Sequence, residues 1–414
     1  MLTTRLRDAG IHVKPADDEA AAHAAAGFQL LNPHRPETVT FPTGSDQVAA
    51  AVRVAADLGI PYAVTNTGHG RRRAQEGGLL ISLSRLRTVT VDPSSQRVRI
   101  GGGARWADVV ARTAPAGLMV PHGSAPGVGV VGYLLGGGYS IYGRHTGLAA
   151  NALHSMTIVT EDGNVKRVEH DTIRGLLAEA WRAPAEVGIV TEVELDVSPA
   201  PSLTGGGFLV AADDAHALLS AFPAWAEPLP ESITPSLGLM RYPDHDGVPA
   251  PLRSQVIGHV RLTAVDDDEV ARSAASALSR GLHILDDDLA RMDWADAGRI
   301  YREPDTPRPH IGDNCLTDNT PRLDTLWPAL SDTGDQRVIF DVRRFGGRLT
   351  FPEAGGLAAP GEWMLSLISP VTGALPNSFG KTQRHLDQAV TDPVGTTANF
   401  TYGPGSSETN TVAS

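Results

Sequence analysis

The chain has 414 residues, enough for two average domains, and its 41% hydrophobic and 20% charged residues are ordinary for a globular protein. A formal net charge of -12 disfavours nucleic-acid binding, because an acidic surface repels a polyanion. The single cysteine, Cys315, excludes an intramolecular disulfide, and no run of eighteen apolar residues predicts a membrane span. We therefore expect a cytoplasmic protein without nucleic-acid or membrane partners; the oligomeric state stays open.

The first half of the chain alternates short helices and strands. Asp46 is a candidate cap for a helix that ends at Gly59, and a strand at residues 62–64 follows it. A further helix is predicted at residues 106–112. The remaining predicted strands are residues 79–81, 89–91, 98–100, 156–159 and 189–195. This alternation predicts an α+β organisation.

A change of pattern near residues 199–201 predicts a domain boundary, with a first domain at 1–200, a second at 201–390, and a C-terminal return and polar tail at 391–414. In the second domain, one helix is predicted to bury Val270, Ala274, Ala277 and Leu278, and another passes through Leu386 and Val390. The predicted strands are residues 256–262, 338–342, 346–350 and 363–368. We expect an antiparallel sheet backed by helices.

Two glycine-rich segments, about sixty residues apart, predict a large anionic ligand. Gly127, Gly129 and Gly132 satisfy the pattern G-x-G-x-x-G, but prolines rather than a strand precede them, and Asn151 stands where a Rossmann fold needs an acid. Glycine lets backbone N–H groups approach a pyrophosphate closely. The alternative is that residues 136–138 only allow two elements to pack closely.

These segments resemble the FAD-linked oxidase superfamily, of the berberine-bridge-enzyme type. The opening of its flavin-binding domain is similar to residues 32–70, NPHRPETVTFPTGSDQVAAAVRVAADLGIPYAVTNTGHG. Its second flavin loop is similar to residues 123–138, GSAPGVGVVGYLLGGG, followed by YGRHTGLAAN, and a later strand to VGIVTEVELDV. In the second half, FDVRRFGGRLT resembles the family's Arg-x-x-Gly-Gly element, and TTANF its C-terminal Tyr-x-Asn element.

The resemblance implies a two-part FAD-binding domain of the PCMH, or vanillyl-alcohol-oxidase, type and FAD as cofactor. It places His69 beside the 8α-methyl group of the flavin, where family members form a covalent bond, whereas Ala125 stands where many members have a second, cysteine link. The residues it assigns to cofactor binding are His69, Gly68, Thr67, Asn66, Gly70, Gly127, Val128, Gly129, Gly132, Gly136, Gly137, Gly138, Gly188, Val190 and Asn399.

The chain departs from the family pattern at several positions. Residues 65–67 replace an arginine and glycines, and residues 183–188 replace a glycine-rich loop, with Glu186 adding negative charge near a phosphorylated ligand. Thr397 stands where the family often has an active-site tyrosine. The family's closing Lys-x-x-Tyr-Asp-Pro segment is not found after Asn399.

Two enzymatic hypotheses follow, both acting on a small, largely apolar secondary metabolite. An oxidase would transfer hydride from substrate to flavin, with Tyr139, Tyr142, His145 or Tyr402 handling the proton. A non-redox cyclase or isomerase would polarise a carbonyl through Arg344, Tyr142 or His145, with flavin structural or absent. A binding protein with an apolar cleft is a third alternative.

We expect the substrate to contact the sheet at Met240, residues 256–260 and residues 340–344. The acidic runs at residues 266–268 and 286–288 lack the spacing of a calcium loop, so no metal site is predicted.

Overall fold

The computed structural model describes residues 1–169, 172–177, 187–244, 246–331, 338–351, 357–371 and 379–403. Residues 183–186, including Glu186, and the tail at 404–414 lie outside this set. The strands in the described ranges form sheets of four, five and nine strands and a two-stranded ladder. Within the same ranges, no helix is both long and apolar enough to cross a membrane.

The four-stranded sheet begins the chain. It contains β1 (Val13–Pro15), β2 (Thr38–Thr40), β3 (Tyr62–Thr65) and β4 (Leu79–Ser82), in the order β1-β2-β4-β3, with α1 (Leu2–Asp8), α2 (Glu19–Ala26) and α3 (Ser45–Asp57) beside it. The prediction that Asp46 caps α3 was wrong: Gly44 occupies the N-cap, and Asp46 lies in the first turn. Its carboxylate is still favourable there, near the positive end of the helix dipole.

The five-stranded sheet is antiparallel throughout. Its strands, in the order β5-β6-β10-β8-β9, are β5 (Val89–Asp92), β6 (Arg97–Gly101), β8 (Leu153–Val159), β9 (Val165–Glu169) and β10 (Ile189–Asp196). Between them come α4 (Trp106–Thr113), α5 (Val130–Leu135) and α6 (Gly143–Thr146), and β7 (Leu118–Met119) pairs with β11 (Ser198–Pro199). Trp106 and Leu134 pack into the buried core over this sheet.

The nine-stranded sheet confirms the antiparallel sheet backed by helices. The order is β15-β12-β14-β13-β18-β19-β17-β20, with β16 also paired to β12. The strands are β12 (Leu203–Val210), β13 (Ile233–Arg241), β14 (Val256–Val265), β15 (Ile284–Asp287), β16 (Ala290–Met292), β17 (His310–Thr317), β18 (Ile339–Arg344), β19 (Trp363–Pro370) and β20 (Pro393–Gly395). The helices are α7 (Ala212–Ala226), α8 (Asp268–Ser279), α9 (Trp327–Ser331) and α10 (Phe379–Ala389).

Two local predictions in this region were wrong. Helix α8 buries Ala271, Ala274, Ala275 and Leu278, whereas Val270 and Ala277 are exposed, so the apolar face is rotated from the predicted one. The predicted strand at 346–350 is a 3-10 turn, Gly347–Leu349, because Gly346 and Gly347 have φ of 82° and 54° and cannot continue a strand.

The four-stranded and five-stranded sheets contain strands from residues up to Asp196, and the first strand of the nine-stranded sheet begins at Leu203. This separation supports the proposed domain boundary near residue 200. The C-terminal return adds β20 to the large sheet beside β17.

Candidate active site

A cavity of about 1800 Å³ lies against three parts of the chain. Its walls come from the loop at residues 63–74, from the glycine block at residues 123–136, and from one face of the nine-stranded sheet. Pockets for single small ligands usually measure about 300–1,000 Å³. The cavity therefore has room for a large cofactor together with a substrate.

His69 lies in the first of these loops as a neutral imidazole. Burial, together with smaller contributions from the nearby His310 and Arg105, lowers the pKa of His69 to about 3. Its ring stacks on Phe28 with 3.9 Å between centroids, and its Nδ1 is 2.9 Å from the hydroxyl of Thr67. The ring is thus held in one orientation with a lone pair available, as a nucleophilic nitrogen requires.

Arg71 anchors the same loop to the N-terminal segment. Its guanidinium donates to the carbonyl oxygens of Ala25, Ala26, Gln29 and Asn32. Arg71 is therefore a buried structural residue, only 8% exposed. Arg72 and Arg73 do line the cavity.

The loop geometry fits a phosphorylated cofactor. The backbone N–H groups of Gly68, His69 and Gly70 have no acceptor among the described residues, although all three residues line the cavity. Successive free N–H groups form concavities that bind anions. A Cβ atom on Gly129 would lie 2.7 Å from Nδ2 of Asn66, so glycine there lets the two loops meet.

The threonines that replace the family's residues have defined roles. The Thr67 hydroxyl accepts a hydrogen bond from the N–H of Gly129 at 3.3 Å, as well as contacting His69. Thr397 is buried, and its hydroxyl accepts from the N–H of Asn399. It thereby caps the short turn Ala398–Phe400, which presents Asn399 to the cavity.

Asn399 joins the C-terminal return to the glycine block. Its Oδ1 accepts from the N–H of Gly138 at 2.9 Å, and its Nδ2 donates to the carbonyl of Tyr133 at 3.1 Å. A Cβ on Gly136 would lie 2.5 Å from this amide, so the fit requires glycine.

Most of the predicted cofactor residues meet at one cavity. Those that line it are Asn66, Thr67, Gly68, His69, Gly70, Val128, Gly129, Gly132, Gly136, Val190 and Asn399. Gly127, Gly137, Gly138 and Gly188 do not line it. They shape the backbone behind it, Gly137, Gly138 and Gly188 through positive φ and Gly127 through its position next to His69.

The predicted catalytic side chains separate into two groups, of which Tyr139 and Tyr402 line the cavity. Tyr139 stacks on Phe345, and burial raises its pKa to about 12. Burial also raises the pKa of Tyr402, whose ring meets His310 edge-on at 5.4 Å. Both tyrosines are therefore protonated at neutral pH and can donate hydrogen bonds.

The other three candidates lie away from the cavity. The hydroxyl of Tyr142 donates to the carbonyl of Val120, and its ring packs on Trp294, so the residue is structural. His145 lies on α6, outside the cavity lining. Arg344 pairs with Glu362 and lies over Trp363, on the opposite face of β18.

Sequence reasoning missed the ionic cluster on the cavity side of the sheet. Arg261 on β14 and Arg343 on β18 both bind the carboxylate of Asp341. Burial alone would raise the pKa of Asp341, but the two arginines outweigh it and hold that pKa below its usual value. The sequence placed residues 340–344 against the substrate but did not predict this pairing, because Arg261 and Asp341 are 80 residues apart in the chain.

Two histidines also lie at the cavity: His259, within the predicted contact strand 256–260, and His310, which was missed. His259 on β14 has a pKa lowered to about 2 by burial and by the neighbouring arginines. His310 donates its Nδ1–H to the Arg308 carbonyl at 3.0 Å, and burial lowers its pKa. Since a carbonyl only accepts, the neutral ring of His310 keeps its lone pair on Nε2.

The acidic runs have structural partners. Asp286 and Asp288 both pair with Arg302, and Asp268 begins α8, where its carboxylate binds Arg272. Among the described residues, no group of three or more His, Cys, Asp or Glu side chains could hold a metal ion.

Residues 36–169 match the family described as "FAD binding domain". The chain is 26% identical to (R)-6-hydroxynicotine oxidase of Paenarthrobacter nicotinovorans, over 96% of this chain and 88% of that protein. Residues 36–169 of this chain therefore form an FAD-binding domain. Its cofactor is FAD, and its fold is the PCMH type, as the resemblance implied.

Solved structures of the superfamily share the fold. A chitooligosaccharide oxidase superposes with a TM-score of 0.78 at 19% identity, over 96% of this chain and 90% of the other. A berberine bridge enzyme variant gives a TM-score of 0.76 at 17% identity, over 94% and 83%. Seven further curated relatives, FAD-linked oxidoreductases, FAD-dependent monooxygenases and a glucooligosaccharide oxidase, match over only 28 to 44% of their own length. These relatives favour the redox hypothesis over the cyclase.

Proposed function

We propose that this chain is an FAD-dependent oxidase that takes hydride from a small molecule lying between the flavin and the nine-stranded sheet. The observation that carries the proposal is the single cavity shared by His69, the glycine block and the sheet. FAD, when bound, supplies the hydride acceptor. The Gly68–Gly70 N–H groups and Asn399 hold the cofactor, and His69 is the residue for covalent attachment.

The proton that leaves the substrate goes to Nε2 of His310. Tyr139 and Tyr402 have raised pKa values and are protonated, and both oxygens of Asp341 are bound by arginines. His310 is neutral, lines the cavity, and has no partner for Nε2 among the described residues. It is therefore the best-placed base near the sheet.

The substrate has an apolar body. Met240 is the cross-strand neighbour of both Ile257 and Ile339, and these three residues form an apolar part of the sheet face in the cavity. This patch suits the predicted secondary metabolite better than a sugar, which needs hydrogen-bond partners. A cytoplasmic location stays a prediction, consistent with the buried free thiol of Cys315.

The test starts from the absorption spectrum of the purified protein before and after acid precipitation. We expect flavin bands that stay with the wild-type precipitate and move to the supernatant in His69→Ala. His12→Ala, outside the cavity, serves as the matched control and should retain them. Anaerobic titration with candidate substrates of differing charge, including 6-hydroxynicotine, for which the (R)-6-hydroxynicotine oxidase is named, should then identify one that bleaches the flavin.

Two results contradict the proposal. A protein that binds no FAD has no hydride acceptor. A flavin that stays oxidised while substrate is isomerised would restore the cyclase hypothesis.

A further inference from the structure

The cavity wall contains two buried guanidinium groups that share one buried carboxylate. Arg261, Asp341 and Arg343 are only 7, 6 and 5% exposed. Nη2 of Arg261 donates to Oδ1 of Asp341, and Nε of Arg343 donates to Oδ2 at 2.6 Å. Both carboxylate oxygens are thus occupied, and two cations share one anion.

The guanidinium of Arg343 is fixed in place with its terminal groups unused. It lies 4.7 Å from the ring centroids of both Tyr301 and Phe400. The Tyr301 hydroxyl accepts from the Ser236 hydroxyl at 2.9 Å, which fixes that ring in turn. Among the described residues, Arg343 forms its hydrogen bond through Nε, and Nη1 and Nη2 form none.

The second arginine repeats the pattern. Nε of Arg261 is buried and also unpartnered in the described part of the chain, and its guanidinium lies 4.2 Å from the Tyr301 centroid. A charge buried in a low-dielectric wall is costly unless it is paired. Planar guanidinium groups with free N–H pairs match the two oxygens of a carboxylate.

Other charges near the cavity do not satisfy this cluster. Arg302 is bound to Asp286 and Asp288, and Glu76 is paired with Arg35. The charge of Glu303, which lines the cavity, also acts on Arg343, but Glu303 is exposed and water screens that charge.

We propose that the substrate carries a carboxylate, which Arg343 binds through its terminal Nη groups while the apolar body lies on Met240, Ile257 and Ile339. The inference rests on the proposed function and narrows its substrate class. Asp341 and Arg261 are positioning residues, because they set the plane of the Arg343 guanidinium.

The test compares benzoate with benzamide, which have the same size and shape but differ in charge. Isothermal titration calorimetry of the purified holoenzyme gives Kd for each ligand, and it does not depend on flavin reduction. We expect benzoate to bind at least about tenfold more tightly than benzamide. Arg343→Met should reduce this preference to within about threefold, and Arg343→Lys should retain part of it, because the charge remains but the fork is lost.

Arg241→Met is the control, since Arg241 lies on β13 in the same sheet but outside the cavity lining. It should keep the wild-type preference. Equal binding of the two ligands by the wild type overturns the proposal, even if Arg343→Met does not fold. The proposal is also overturned if Arg343→Met keeps the wild-type preference for benzoate over benzamide but shifts the flavin reduction potential. That result would mean that Arg343 faces an oxygen of the cofactor. A protein without flavin that still prefers benzoate contradicts the oxidase function but supports the carboxylate site.

Discussion

The Nδ1–H of His310 donates to the Arg308 carbonyl, and this bond decides which ring nitrogen faces the substrate. Asparagine can keep such a bond through its side-chain NH₂ while it lacks Nε2. We therefore expect His310→Asn to fold and bind FAD but to lose about 10²- to 10⁴-fold in kcat/KM. Stopped-flow measurement of anaerobic flavin reduction checks this value.

The pH profile separates a base from a merely structural residue. Burial lowers the pKa of His310 from its ordinary 6.5, so the ring is ready to accept a proton above that lowered value. The acid limb of the wild-type kcat/KM profile should thus lie below pH 6.5 and be missing in His310→Asn. An identical acid limb in the variant would assign the proton transfer to another group.

At the scale of one strand, β12 shows why its glycines are needed. A Cβ on Gly207 would overlap the carbonyl oxygen of Val260 on the neighbouring β14, and neither backbone can move without breaking the ladder between them. Gly207→Ala should lower the free energy of unfolding by about 1–3 kcal/mol, through overpacking. Thermal unfolding followed by circular dichroism gives the change.

The matched control lies on α10. A Cβ on Gly380 would meet nothing within 4 Å, so Gly380→Ala should leave the free energy of unfolding unchanged or raise it by up to about 1 kcal/mol. If Gly207→Ala and Gly380→Ala change the free energy of unfolding by the same amount, the close approach of β12 and β14 does not explain the loss of stability in Gly207→Ala.

The same scale explains what could be predicted from the sequence. Strands such as β10 and β14 alternate apolar with polar residues, and the two flavin loops carry distinctive glycine spacings, so these elements and His69 were predictable. The sequence did not show which residues of β18 face the cavity. A strand exposes alternate residues, and nothing local distinguishes Arg343, in the cavity, from Arg344, on the other face.

Pairing between distant strands was equally hidden. Arg261 meets Asp341 only because β13 lies between β14 and β18 in the sheet order. His310 depends likewise on the pairing of β17 with β19, which places it at the cavity. Such contacts form only in the folded sheet, so a local sequence pattern cannot predict them.

For the whole molecule, buried histidines predict a loss of stability in mild acid. Burial lowers the pKa of His122 to about 4, while an unfolded chain titrates near 6.5. Between pH 6.5 and 4, His122 is therefore protonated in the unfolded state but not in the native state. The stabilisation is complete above pH 6.5 and is lost as pH falls, by up to about 1.4 kcal/mol per pH unit for each such histidine.

Three more histidines have lowered pKa values and so also lower the stability of the native state as pH falls. They are His34, His69 and His259, with pKa values of about 4, 3 and 2. His122→Asn can keep the hydrogen bond to the Gly123 carbonyl without titrating. Its urea midpoints measured from pH 7.5 to 4.5 should fall less steeply than those of the wild type. A parallel decline in both proteins would remove His122 as a contributor.

The bonds of Asn399 to the glycine block have a consequence for how the enzyme matures. Asn399, Phe400 and Tyr402 form part of the cavity wall, although the loop with His69 is made more than three hundred residues earlier. During synthesis, that loop leaves the ribosome long before the wall opposite it exists. The binding site is closed only after residue 403 has emerged, so stable retention of the cofactor is a late, post-translational step of biogenesis.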